Sequence, residues 1–399
     1  MDTLFAKSEI LKRKHGTMEG RGIYSQIEWN SRLIGIKGAR GVGKTTLMLQ
    51  RLHALKMPVN QSLFISLDDW YFTQHSLSET AEAFAKKGGR YLFIDEVHKY
   101  PNWAIQIKNL YDFTELNIVF TGSSIMDIAK EQGDLSRRAV MYIMQGLSFR
   151  EYLSIEYGFE LPIFTLDELT KQASEAWIGA FPVGFNPYQY FDEYLQYGYY
   201  PIYKEGKKVF ATKIQQMVRH VIENDMAELK GFEIRNAKKI VQLLGVVSQS
   251  VPFKPNIQKL AEKMDLNRLT LSNYLTYLQE AQLIELIYPT NHSIASLQKP
   301  EKIYFENTNL SFALSDASLQ NEGSLRETFV MNQLKQKHQV QSANEGDFTI
   351  DNTWVLEVGC KNKNAKQIEQ QTNAFRVLDD YVFSSQSNII PIWMIGFLY

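Results

Sequence analysis

One cysteine, Cys360, stands among 399 residues, so no internal disulfide can staple the chain, and a reducing compartment suits it. Neither sign of charge is in excess. Lys and Arg number 43 against 44 Asp and Glu, a net of -1, so no whole-chain field draws nucleic acid or anionic lipid and such binding needs a local patch. No run approaches the roughly 18 apolar residues of a membrane span. The N-terminus, Met1-Asp2-Thr3-Leu4-Phe5-Ala6-Lys7-Ser8-Glu9, lacks the apolar core of a signal peptide. Internal repeats and low-complexity tracts are missing too. These absences lead to the expectation of a cytoplasmic protein without a membrane partner. The remainder, 44% hydrophobic and 22% charged, is ordinary globular composition, long enough for two or three domains.

Against that background one segment stands out: Gly38-Ala39-Arg40-Gly41-Val42-Gly43-Lys44-Thr45, followed by Thr46. It fits G-x-x-x-x-G-K-[ST] between a short apolar strand (Arg32 to Ile36) and an amphipathic helix (Thr46 to Leu52). Glycines let the backbone wrap a polyphosphate with successive N–H groups pointing inward, and the following helix adds its positive N-terminal end. Lys44 is expected to reach the β- and γ-phosphates, and the Thr45 hydroxyl to hold Mg²⁺. The plainer alternative is a glycine-rich turn with an incidental lysine.

About 50 residues on, Tyr91-Leu92-Phe93-Ile94-Asp95-Glu96 is an apolar strand ending in adjacent acids. Asp95 is expected to bind Mg²⁺ from the strand's end, and Glu96, pointing elsewhere, to polarise the attacking water. An acid in that second position favours hydrolysis over phosphotransfer. Asn117-Ile118-Val119-Phe120 then ends in Thr121-Gly122-Ser123-Ser124. If that strand neighbours the Asp95 strand, the small hydroxyls at its tip lie beside it, and one of them, with Ser123 or Ser124 preferred, could hydrogen-bond the γ-phosphate or the attacking water, or simply cap the next helix. Leu135-Ser136-Arg137-Arg138 offers arginines for the charge that develops in transfer, in cis or from a neighbouring subunit of a homo-oligomer. No guanine-reading Asn-Lys-x-Asp segment is found (Asn362-Lys363-Asn364 lies elsewhere and lacks the acid). ATP is the expected nucleotide, with ATP over GTP left open.

Strand candidates Leu33–Ile36, Leu63–Ser66, Tyr91–Ile94, Ile118–Phe120 and Val140–Met144 alternate with helical stretches, which predicts an α/β fold with a parallel sheet. A helix-rich stretch follows, with ten aromatic residues among the 24 from Phe181 to Lys204. A packed core explains them better than a base-stacking platform, because few cations accompany them. Next come a helix over Ile257–Met264, a turn, a helix over Leu269–Ala281 and a strand over Leu283–Ile287, the order of a winged helix-turn-helix. The last hundred residues predict a helix at Ser324–Lys337 and strands near Phe348–Ile350, Trp354–Val358 and Ile389–Ile395. The boundaries expected are a P-loop ATPase domain over 1–155, a helical lid or linker over 156–236, the winged helix over 237–298 and a mixed α/β unit over 299–399.

The chain resembles prokaryotic predicted ATPases of the AAA+ type that carry a C-terminal nuclease-like domain of uncertain role. The resemblance rests on the phosphate loop and on Ile94-Asp95-Glu96-Val97-His98-Lys99-Tyr100-Pro101-Asn102-Trp103. It rests also on Phe120-Thr121-Gly122-Ser123-Ser124, Leu147-Ser148-Phe149-Arg150-Glu151-Tyr152, Tyr194-Leu195-Gln196-Tyr197-Gly198-Tyr199-Tyr200-Pro201 and Lys302-Ile303-Tyr304-Phe305. It implies the sheet order 5-1-4-3-2 and a restriction-endonuclease-like C-terminal fold. The family arginine falls on Arg138. Arg137 replaces the family's glycine, which leaves open which arginine acts.

A nuclease of that kind needs acids around a metal, here Glu327, Asp347 and Glu357, and a lysine two positions past the last acid. That position is Gly359, and the nearest lysine is Lys361, so a degenerate domain kept as a docking surface is expected. For the winged helix, Lys259, Lys263 and Arg268 stand against Glu262, Asp265, Glu280 and Glu285, few cations for a duplex. Contact with DNA and a protein-packing role remain alternatives. The expectation is an ATP hydrolase whose cycle moves its C-terminal parts against nucleic acid or a protein. The rivals are a non-catalytic nucleotide switch and an ATP-regulated nuclease.

Overall fold

The computed structural model describes residues 1–17, 21–122, 135, 137–226, 236–249, 251–290, 299–316, 321–360 and 373–399. The chain divides into two compact units, Met1–Gly146 and Leu147–Tyr399. Among the described residues no helix is long and apolar enough to cross a membrane.

The N-terminal unit opens with helix α1 (Asp2–His15) and the short α2 (Ile23–Gln26). Strands β1 (Leu33–Lys37), β2 (Ser62–Ser66), β3 (Tyr91–Asp95), β4 (Asn117–Gly122) and β5 (Val140–Ile143) then alternate with α3 (Lys44–Ala54), α4 (Leu77–Lys86) and α5 (Trp103–Phe113). All pairings are parallel, in the order β2-β3-β4-β1-β5. Read from the other edge, this is the expected 5-1-4-3-2. Leu33, Ile34, Leu63, Leu92, Ile94, Ile118 and Phe120 are buried, as strands covered on both faces require. The N-terminal helix α1 is an element that no motif in the sequence announces. Its Ser8 hydroxyl accepts the Phe64 N–H at 3.0 Å, which occupies a donor on edge strand β2.

The C-terminal unit begins with α6 (Phe149–Tyr157), started by a reciprocal Ser148–Glu151 capping box. Further helices are α7 (Leu166–Lys171), α8 (Tyr188–Glu193), α9 (Lys207–His220), α10 (Ala237–Ser248), α11 (Ile257–Lys263) and α12 (Arg268–Glu280). The aromatic run is core: Phe191, Tyr194, Tyr199 and Tyr200 are buried, and Phe191 meets Phe149 and Phe329 edge-on at 5.2 and 4.9 Å. That packing excludes a base-stacking platform. Strand β6 (Ile284–Ile287) pairs antiparallel with β7 (Lys302–Phe305), which joins the two segments expected to part after 298. After α13 (Thr308–Leu314) and α14 (Glu322–Leu334) comes a second sheet: β8 (Val340–Ser342), β9 (Phe348–Ile350), β10 (Trp354–Gly359), β11 (Ala374–Leu378) and β12 (Ile389–Pro391). Its order is β12-β11-β10-β9-β8, with β10, β11 and β12 parallel and β9 antiparallel to its neighbours. The expected final strand through Ile395 is shorter. It ends at Pro391, and Ile392–Phe397 form a 3₁₀ turn instead. Proline fixes φ and offers no N–H to a ladder, so it suits the end of a strand.

Candidate functional site: a phosphate loop against an acidic strand tip

The loop leaves the C-terminal end of β1 and enters α3 at Lys44. Gly41 and Gly43 have φ of 84° and 102°, backbone that only glycine adopts without strain. Gly38 is needed for space: a Cβ there would stand 2.1 Å from the Met144 carbonyl oxygen. Lys44 is 5% exposed, and its ammonium donates to the carbonyls of Gly38 and Ala39 at 2.8 Å each, so its charge lies inside the curl of the loop.

Asp95 ends β3, one strand removed from β1. The Thr45 hydroxyl donates to its Oδ2 at 2.7 Å, and the Thr121 hydroxyl donates to Oδ1. Burial, with the Glu96 carboxylate adjoining, pushes the Asp95 carboxyl up to about 6; the two hydroxyls and Lys44 pull the other way without prevailing. A buried acid so short of positive charge, with a hydroxyl on each oxygen, fits a divalent cation. Glu96 occupies the left-handed region at φ 54°, uncommon for a residue other than glycine. Its Oε2 lies 3.3 Å from Nε2 of His98, whose side chain is fully buried. Its own N–H donates to Thr121 Oγ1 at 3.4 Å.

Residues 30–153 match a protein family described as "AAA domain". They form an AAA+-type P-loop domain. Residues 188–321 match a second family, described as "Domain of unknown function (DUF8612)". The uncharacterized protein MJ1637 of Methanocaldococcus jannaschii is 29% identical over 291 residues, 68% of this chain. The match spans 60% of that relative's own length. Among solved structures, Orc1 of Aeropyrum pernix in complex with DNA is similar at a TM-score of 0.33 and 11% identity, over 78% of this chain and 92% of that one. AMPPCP-bound DnaA of Aquifex aeolicus gives 0.27 and 15%, over 68% and 86%. The Hsp104–ADP complex of Saccharomyces cerevisiae gives 0.32 and 18%, over 68% and 41%. Likeness at this level does not extend to function.

Within the AAA+ domain, Ser123 and Ser124 lie outside the described residues. Of the small hydroxyls expected at that strand tip, Thr121 is the one among the described residues that reaches Asp95. It follows Phe120, the partner of Ile94 in the β3–β4 register, and so stands level with Asp95; strand alignment is the signal that finds it. Arg138 needs a correction for action in cis. It precedes β5 and forks onto Asp112 near the end of α5, with Nε–Oδ1 and Nη2–Oδ2 both 2.9 Å. In this parallel pairing the start of β5 is level with the start of β1, so Arg138 lies at the opposite end of the strands from its own phosphate loop.

In the C-terminal unit the proposed nuclease acids do not fit a metal. The Lys302 ammonium lies 3.7 Å from Glu327 Oε2, 3.6 Å from Asp347 Oδ1 and 3.3 Å from the Asp347 carbonyl, where a divalent cation would be needed. The Tyr304 hydroxyl donates to Glu327 at 2.6 Å, and Val358 N–H donates to Asp347 at 2.9 Å. Among the described residues no group of three or more His, Cys, Asp or Glu side chains could hold a metal. Lys361 lies outside them.

Proposed function

We propose that this chain binds ATP in the Gly38–Thr46 loop and hydrolyses it. The observation that carries the reading is the 2.7 Å contact of Thr45 with Asp95, which brings the loop and the acidic strand tip into one pocket although 50 residues separate them. In this reading the loop's N–H groups and Lys44 hold the β- and γ-phosphates. Thr45 and Asp95 hold Mg²⁺, which supplies charge neutralisation at the transferred phosphoryl. Glu96 takes the proton of the attacking water, oriented by His98, and Ser123 or Ser124 senses the γ-phosphate. Arg138 serves the pocket of a neighbouring copy, since its own lies at the other end of the strands. Hydrolysis moves the C-terminal unit, and α11, α12 and the β6–β7 hairpin form a winged helix that contacts DNA or a protein client.

Steady-state phosphate release is the test, measured with and without single-stranded DNA, duplex DNA and RNA. Lys44→Ala is expected to abolish nucleotide binding, and Glu96→Gln to retain binding while losing turnover. Turnover unchanged in Glu96→Gln would leave a nucleotide switch instead of a hydrolase. Stimulation by one nucleic acid identifies the client class; a flat response to all three points to a protein.

A further inference from the structure

Arg21, just before α2, donates to three backbone carbonyls at once. Its Nη1 reaches Val42 at 2.9 Å, and its Nη2 reaches Gln145 at 2.8 Å and Gly146 at 2.7 Å. Val42 lies within the phosphate loop, whereas Gln145 and Gly146 are the last residues of the N-terminal unit. Two further contacts join the same segments. The Met144 N–H donates to the Lys37 carbonyl at 2.7 Å, and Gly38 is in the close approach to Met144 described above. The stretch that leaves β5 is therefore strapped across the loop, with Arg21 as the buckle.

The strap has a consequence for the loop's chemistry. A peptide unit is planar and trans, so the carbonyl of one residue and the N–H of the next point in opposite directions. A guanidinium that holds the Val42 carbonyl thereby sets the direction of the Gly43 N–H, away from Arg21. Glycines at 41 and 43 leave the intervening peptides free to turn unless something outside fixes them. In a phosphate loop those N–H groups are what the anion binds. A planar fork can bridge several carbonyls in a fixed geometry, which an ammonium cannot.

We propose that Arg21 is a positioning residue. It aims the Gly43 N–H at the triphosphate and locks the loop to Gln145–Gly146, so that nucleotide binding orders the stretch leading into Leu147. This rests on the reading of Gly38–Thr46 as a triphosphate cradle. The test uses the full chain with Arg21→Ala and Arg21→Lys. ATP affinity and turnover are measured with and without methylguanidinium, and amide exchange is followed at Gly43 and at Gln145–Leu147 with and without ATPγS.

Arg21→Ala is expected to weaken ATP binding about tenfold, the scale of one charge-assisted hydrogen bond. Turnover at saturation should stay within about twofold, and methylguanidinium should restore affinity in the variant alone. ATPγS should protect Gln145–Leu147 in the parent and not in the variant. Undiminished affinity in a folded Arg21→Ala protein overturns the proposal. So does protection of Gln145–Leu147 that survives the substitution. Should Arg21→Ala fail to fold, Arg21→Lys decides: the same weakening supports the strap, and parental affinity overturns it. If Lys44→Ala binds ATP undiminished, the cradle reading has failed instead.

Discussion

Replacing Asp95 by asparagine is expected to stabilise the protein at neutral pH, in buffer containing EDTA and no nucleotide. The carboxyl is buried beside Glu96 and rises from 3.8 to about 6. Each tenfold change in proton affinity is worth about 1.4 kcal/mol, so ionising it costs the fold up to about 3 kcal/mol. The sign follows from linkage. The folded protein holds this proton more tightly than the unfolded chain, so the contribution to stability is complete below pH about 4 and is lost as pH rises through 6. Asparagine keeps an oxygen to accept from Thr45 or Thr121 and removes the charge. Urea unfolding of both proteins from pH 4 to pH 8 is the assay. The two curves should meet near pH 4, and the variant should gain steadily until it leads by a few kcal/mol above pH 7, while losing turnover. A variant less stable than its parent at pH 7.5, or a difference independent of pH, would refute the assignment of strain to this carboxylate.

His98→Ala should lower the maximal rate about tenfold and leave ATP affinity near its parental value, because the imidazole stands 3.3 Å from the proposed base; a changed affinity with an intact rate would reverse that assignment. Gly38→Ala forces a methyl against the Met144 carbonyl and should destabilise the chain by about 1–3 kcal/mol, read by thermal unfolding. Lys302→Met leaves Glu327 and Asp347 facing each other without their cation and should cost about 3 kcal/mol in the same assay. With Mn²⁺ and plasmid DNA the parent should release no nicks; cutting that disappears in Glu357→Ala would show the acids to be a working metal site after all.

Residues adjacent in the chain were readable from the chain. The loop Gly38–Thr46 announces itself because the wrap around a phosphate is local, set by glycine spacing and the helix behind it. Asp95 and Glu96 are legible for the same reason, as the end of an apolar strand. The buried strands, the aromatic core and the pair α11–α12 follow from hydrophobic period alone. What the linear pattern does not hold is the partner brought from far away. The hydroxyls of the β4 tip are expected beside Asp95, but only the β3–β4 register puts Thr121 on its carboxylate. Arg138, a candidate by sequence position, belongs to the opposite end of the strands. Lys302, 25 residues before Glu327 and 45 before Asp347, becomes their counter-ion only once β7, α14 and β9 are assembled. Arg21 has no motif at all: its function is to bridge carbonyls of residues 42, 145 and 146, and backbone carbonyls carry no sequence signature. Local geometry is written in residue order; charge neutralisation and strapping depend on distance in space, which folding alone sets.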